Sequence, residues 1–198
     1  MSPKIISKQE EKWSKELPER KSNEYKYSRS QTRYALSNLF NIDPLEVPLE
    51  ASPGNAPFLK EGWGYISISH CNDLLLIGWS DQKIGVDIER SDRSFSYKKI
   101  VKRYFSKKEK ESLERLNESR LQNIILSNWV AKEASLKWQK GKLFKDLFLW
   151  EWDQEKKLIH HKSLQFETNI EIFEYKDWII GVASKRVIYP QNIIICSN

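Results

Sequence analysis

At 198 residues the chain can bury a real core, as one large or two small domains. Its 39% hydrophobic content with eight Trp excludes a disordered chain, and no apolar run approaches the ~20 residues needed to span a bilayer. A net charge of +6 and a pI near 9.1 ask for an acidic partner, whether nucleic acid, an acidic protein or a small polyanion, without choosing among them.

The amino terminus from Met1 to Lys15 is polar and charged and lacks the apolar stretch of a signal peptide. Cys71 and Cys196 stand far apart, in neither metal-ligand nor disulfide-framework spacing, as suits a reducing cytosol. A soluble cytoplasmic protein is expected. Ser7-Lys8-Gln9-Glu10 has capping-box form and opens a short helix that Pro18 ends. A longer helix is predicted over Tyr27 to Phe40, with Arg29 and Arg33 one turn apart. Asp43-Pro44 and the segment from Pro48 to Pro57 read as loop.

Strands follow near Tyr65–His70, Leu74–Ser80 and Ile84–Glu89, with turns at Asn72-Asp73 and Asp81-Gln82. Between Arg90 and Phe105, Ile100, Val101, Tyr104 and Phe105 have the helical spacing of core contacts, while Lys98, Lys99, Lys102 and Arg103 read as rim charges. Ser106-Lys107-Lys108-Glu109 is a second capping box, ahead of a helix built around Trp129. The remainder returns to strands near Leu147–Trp152, Lys157–His161, Ile170–Tyr175, Trp178–Ser184 and Ile193–Cys196, with His160 and His161 at the surface. The segment Asp73 to Ser80 has an echo in Asp177 to Ser184, which suggests two related halves.

Two segments carry the chemistry. In Lys83-Ile84-Gly85-Val86-Asp87-Ile88-Glu89, alternation puts Asp87 and Glu89 on one strand face with Cα atoms roughly 6.5–7 Å apart. They are either two ligands for one hard cation such as Mg²⁺ or the solvated face of an amphipathic strand. In the helix, Ile125, Leu126, Trp129, Val130 and Leu136 share an arc that also contains Glu133, with Lys137 one turn further on. A carboxylate inside an apolar arc needs a metal or a partner, and Lys137 at i+4 can be that partner. Lys132 points to another face.

The run Gly85-Val86-Asp87-Ile88-Glu89 followed by Trp129-x-x-Lys132-Glu133-Ala134-x-x-Lys137 resembles the signature pair of 4′-phosphopantetheinyl transferases of the surfactin-synthetase-activating type. More narrowly, it resembles the branch whose helix motif reads Trp-x-x-Lys-Glu-Ala, which includes the cyanobacterial heterocyst-glycolipid enzymes. Ser67-Ile68-Ser69-His70, Phe105-Ser106-Lys107-Lys108-Glu109 and Ser52-Pro53-Gly54-Asn55-Ala56-Pro57 match further motifs of that family in order. The turn departs from the pattern, with Asn55-Ala56 where a lysine is usual and Lys60 nearby.

The resemblance, covering about Arg29 to Lys142, implies an α+β pseudo-dimer of two similar halves, here 1–84 and 85–198, with the active site between them. It implies transfer of the phosphopantetheine arm of coenzyme A to a serine of an acyl or peptidyl carrier protein, by a monomer, with release of 3′,5′-ADP. Mg²⁺ would be held by Asp87, Glu89 and Glu133. Glu133 would serve either mainly as that ligand or mainly as general base for the serine proton, since one carboxylate can hardly be tight ligand and free base at once, and Lys137 would contact the pyrophosphate. Ser69 and His70 would bind coenzyme A, with Arg29 and Arg33 at its 3′-phosphate. The rival expectation is a basic nucleic-acid-binding protein without catalytic activity, although no helix-turn-helix, zinc-finger or RRM signature is present.

Overall fold

A computed structural model describes residues 5–71, 74–94, 96–114, 116–141 and 143–187. It divides into two compact units, 1–66 and 67–198.

In the first unit, helix α1 (Lys8–Lys15) carries the expected reciprocal capping box. Ser7 Oγ accepts from Glu10 N, and the Glu10 carboxylate accepts from Ser7 N. Helix α2 (Glu19–Phe40) starts eight residues before the expected Tyr27. Pro18, at φ −53°, both stops α1 and opens α2, and the polar run after it has no apolar period to betray a helix. Strands β1 (Leu49–Glu50) and β2 (Phe58–Leu59) pair antiparallel. Arg33 ties this unit together. Its buried guanidinium pairs with Glu10 at 2.8 Å and donates to the carbonyls of Pro44, Val47 and Leu49.

The second unit contains the paired strands β3 (Tyr65–Cys71), taken from Ser67 onward, and β4 (Leu74–Ser80), then β5 (Ile84–Arg90). Compactness thus divides the chain after Ile66. The reason is packing of the paired strands on β5. Ser67 Oγ accepts from Val86 N, and Leu74 and Leu76 pack on Ile84, Val86 and Ile88. Helices α3 (Tyr97–Tyr104), α4 (Lys107–Leu113) and α5 (Glu118–Gln139) come next. Strands β6 (Trp150–Asp153), β7 (Leu158–His161), β8 (Glu167–Tyr175) and β9 (Trp178–Ser184) complete a five-stranded antiparallel sheet in the order β5-β9-β8-β7-β6. The echo noted in the sequence corresponds to β4 and β9.

Helix α5 lies on this sheet, and two glycines set how closely. A Cβ on Gly85 would stand 2.0 Å from the Ala134 carbonyl oxygen, and one on Gly181 would stand 2.6 Å from Val130 Cγ1. Gly181 is the register partner of Asp87, so both close approaches lie at the strand pair that carries the acidic motif. The face of β5 bearing Gly85, Asp87 and Glu89 is therefore covered by α5, which overturns the solvated-face reading of that strand. Its other face packs Ile84, Val86 and Ile88 against Trp178, Ile180 and Val182.

The α3 spacing is core packing as expected. Tyr104 and Phe105 are buried, with Ile100 and Val101 against them, while Lys98, Lys99, Lys102 and Arg103 stay exposed. Two expectations need correction. Leu147–Leu149 form a 3-10 turn, so β6 starts only at Trp150. His161 is buried, its ring edge-on to Trp150 and its Nδ1 accepting from the backbone of Ser163 and Leu164. The strand expected near Ile193–Cys196 lies outside the described residues. No described helix is long and apolar enough to cross a membrane.

Candidate active site

Strand β5 delivers Asp87 to the underside of α5, where only 4% of it remains exposed. Its Oδ1 accepts from Ser69 Oγ and from Lys137 Nζ, each at 2.7 Å, and Lys137 Nζ stands 2.8 Å from Ser69 Oγ. The three side chains close a triangle between β3, β5 and α5. Asp87 Oδ2 is buried with no hydrogen-bond partner. Burial pushes the Asp87 carboxyl up, with Lys137 and Ser69 pulling the other way.

Lys137 therefore reaches across to Asp87 and does not form the helix pair with Glu133 that i+4 spacing allows. That leaves Glu133 half-buried among acids. Burial first and the Asp87 charge second, with Lys137 opposing and Glu89 adding to the repulsion, push its carboxyl up to about 8. Glu89, at the end of β5, has both oxygens engaged. Oε1 pairs with the Arg93 guanidinium and Oε2 accepts from Cys71 Sγ at 3.3 Å.

An open cavity of about 530 Å³ adjoins Glu89, lined also by His70, Cys71, Arg90 and Arg93. His70 is exposed at its rim. The structure thus gathers Ser69, His70, Asp87, Glu89, Glu133 and Lys137 within the second unit.

Arg29 and Arg33 belong to the first unit. Arg33 is 3% exposed, and four of its donors are already taken by Glu10 and three carbonyls. The expected contact with a 3′-phosphate is corrected to a structural role. Arg29 differs, because its Nε and Nη1 are buried without a hydrogen-bond partner while its guanidinium lies 4.9 Å from the Tyr25 ring centre. Burial lowers its pKa from the usual guanidinium value.

Three carboxylates suit a hard ion, the unpartnered Asp87 Oδ2 is a vacant ligand atom, and the mutual repulsion of Asp87, Glu89 and Glu133 is what a cation would relieve. Among the described residues no three of His, Cys, Asp and Glu stand close enough together, as placed, to hold a metal ion. Arg93 and Lys137 supply the positive charge there instead.

Two features escaped sequence reasoning. Arg93 and Cys71 meet Glu89 only through the tertiary fold. Lys132, fully buried, pairs with Glu109 at 2.9 Å and also donates to the Trp150 carbonyl, so the capping-box acid of α4 is clamped to α5. Burial pushes the Lys132 ammonium down and Glu109 opposes that shift. Both residues lie inside recognisable motifs, and the signal that could have linked them was a lysine on a second buried face of α5.

Residues 83–183, just over half of the chain, match the family described as the 4′-phosphopantetheinyl transferase superfamily. The chain is 26% identical over 114 residues to the 4′-phosphopantetheinyl transferase HetI of Nostoc sp., covering 55% of this chain and 48% of that protein. It is 29% identical over 115 residues to the putative 4′-phosphopantetheinyl transferase slr0495 of Synechocystis sp., covering 55% and 46%. The chain thus spans about half the length of the curated relatives it matches. The crystal structure of a holo-ACP-synthase from Plasmodium yoelii is a looser likeness, with a TM-score of 0.38 and 20% identity over 51% of this chain and 91% of that one. With its acidic strand and its Glu133 helix both inside the matched segment, the chain belongs to the 4′-phosphopantetheinyl transferase superfamily.

Proposed function

We propose that this protein transfers the 4′-phosphopantetheine arm of coenzyme A to a serine hydroxyl of an acyl or peptidyl carrier protein, as an enzyme of the surfactin-synthetase-activating type. The serine oxygen attacks the phosphorus nearer the pantetheine. The bond from that phosphorus to the bridging oxygen breaks, 3′,5′-ADP leaves, and the serine proton passes to Glu133. One observation carries this reading: Asp87 is held under α5 by Ser69 and Lys137 with its Oδ2 unpartnered, and its charge, after burial, pushes the carboxyl of the half-buried Glu133 up to about 8. A proton acceptor works best with a pKa near the working pH, and Glu133 needs only a modest gain of positive charge to reach that range.

Asp87, Glu89 and Glu133 would hold Mg²⁺, which when bound neutralises the pyrophosphate. Lys137 holds Asp87 and presents its ammonium to the same anion. Ser69 keeps the two aligned, so its part is positional. His70 and Arg90 line the cavity beside Glu89 and suit the phosphates of coenzyme A, and Arg29 remains the anion-binding candidate of the first unit. The exposed basic face of α3 suits an acidic carrier. A cytoplasmic monomer is the setting that goes with this reading.

Intact mass spectrometry of an apo carrier protein incubated with this protein, coenzyme A and Mg²⁺ tests it. A gain equal to one phosphopantetheine, absent with Glu133→Ala, is expected. No gain on fatty-acid, polyketide or peptidyl carriers would refute it.

A further inference from the structure

His161 is only 3% exposed and takes no part in the cluster around Asp87. It closes the turn that joins β7 to β8. Its backbone N–H donates to the Phe166 carbonyl at 2.8 Å, and its Nδ1 accepts from Ser163 N at 3.2 Å and Leu164 N at 3.1 Å. A ring nitrogen that accepts carries no proton, so the neutral ring keeps its hydrogen on Nε2, which is buried without a hydrogen-bond partner. The turn also anchors aromatic packing. The His161 ring lies edge-on to Trp150 at 5.1 Å, Phe166 lies edge-on to Trp138 at 6.1 Å, and the two indoles meet at 6.4 Å. Both indoles belong to the core cluster that includes Ala131 and Ala134 of α5. Trp138 directly follows Lys137, the residue that holds Asp87.

We infer that His161 is an acid-sensitive latch on this turn: neutral, it holds the Ser163 and Leu164 amides; protonated on Nδ1, it lets them go and frees Phe166 from Trp138. The latch needs nothing from the transferase reading. A proton on Nδ1 would meet two N–H donors, strand both amides and place a positive ring among aromatic side chains. The charged groups around the ring do little to offset this. On helix α6 (Leu143–Asp146), Asp146 is the acid that favours the imidazolium, yet burial outweighs it and pushes the imidazole below its usual value. On β6, Glu151 is taken by His160 and Lys162, and on α5 the partner of the Trp150 indole is the neutral Gln139. On β8, Glu167 stands opposite His160 in register, and its carbonyl accepts from Lys185 Nζ. A histidine held neutral contributes stability that is full above its unfolded value of 6.5 and is lost as pH falls below it. Glu133, held up, works in the other direction, so a melting temperature mixes the two and the turn itself must be read.

Nuclear magnetic resonance on the full chain tests the latch. At about pH 7.5 the ring nitrogens should report the Nε2–H tautomer. Between about pH 7.5 and about pH 5, protection of the Ser163 and Leu164 amides from hydrogen exchange, corrected for the intrinsic pH dependence of exchange, should fall roughly tenfold. The Trp138 indole resonance should shift over the same range. His161→Asn offers a carboxamide oxygen in place of Nδ1 and has no proton to gain, so it should keep both amides equally protected at the two pH values. An Nδ1–H tautomer at the higher pH, or parent amides equally protected at both, overturns the latch. So does loss of protection in acid by His161→Asn to the same extent as the parent, which would assign the change to another group. If His161→Asn fails to fold, the tautomer and the pH profile of the parent decide alone.

Discussion

At the scale of single residues, the site is a contest over charge between Asp87, Glu133, Lys137 and Arg93. Glu133 has an ordinary value of 4.5 when unfolded and about 8 when folded, so between those values the native state holds the extra proton. Stability is therefore expected to fall as pH rises from about 4.5 to about 8 and to level off beyond. Glu133→Gln should flatten that slope. Its melting temperature should gain on the parent's at pH 8 relative to pH 4.5, each kcal/mol amounting to roughly 2–4 °C for a chain of this size. The activity profile follows from the same group. In the proposed reaction Glu133 must be ionised to take the serine proton, so the rate should rise with pH along a limb no higher than about 8, and that limb should move to lower pH as Mg²⁺ is raised. A limb that ignores Mg²⁺ would separate Glu133 from the metal.

Single residues also show what a sequence conceals. The acid at Glu133 was legible because a carboxylate inside an apolar arc violates the helix pattern. Arg33 was not, because an arginine one turn from another reads the same whether its guanidinium meets a phosphate or three backbone carbonyls. Glu89 was placed on the right face by alternation, yet its locking by Cys71 and Arg93 depends on a strand neighbour and a turn that no local period encodes.

At the scale of elements, the proposed site rests on β5 laid against α5. Gly85 is needed there for space, since any Cβ would collide with the Ala134 carbonyl and the Trp138 backbone. Gly85→Ala should cost ~3 kcal/mol or more, because backbone on both sides cannot yield as a side chain would. Denaturant unfolding checks this, and a loss within error would mean that α5 can shift without harm. The Glu109–Lys132 pair fixes α4 and β6 to the same helix. Lys132→Met alone should destabilise by about 3–5 kcal/mol by stranding Glu109, whereas Lys132→Met with Glu109→Leu should recover much of that loss. The double variant is the informative one, since it separates the cost of stranding one buried charge from the cost of removing the ion pair as a whole.

Helix α3 poses the corresponding surface question. Its apolar side is core, and Lys98, Lys99, Lys102 and Arg103 face solvent. Replacing these four with Glu should raise the carrier KM several-fold and reduce its salt dependence while leaving kcat for a saturating carrier near the parent value. An unchanged KM would move carrier docking elsewhere. The helices and strands here were largely legible, because capping boxes at Ser7 and Ser106 and strict alternation in β5 are local signals. The start of α2 and the 3-10 turn at Leu147 were not. The first lacks an apolar period, and the second is apolar without alternation.

At the scale of the whole molecule, the chain divides into two compact units, with Ser69, His70, Asp87, Glu89, Glu133 and Lys137 all in the second. The family was readable from the order of short motifs, because each motif serves one geometric need: glycine for close approach, alternating acids for a shared face, and an acid on the facing helix. Where compactness divides the chain depends on tertiary packing, because strand alternation does not say which neighbour a paired strand packs on. Ser67 and Ser69 answer that only through Val86 and Asp87.

The most direct check is the mass of an apo carrier protein after incubation with this chain, coenzyme A and Mg²⁺, alongside Glu133→Ala as control. Addition of one phosphopantetheine by the parent and none by the variant is the expected result. A folded parent that leaves every class of carrier unmodified, while binding nucleic acid in a steeply salt-dependent way, would contradict it.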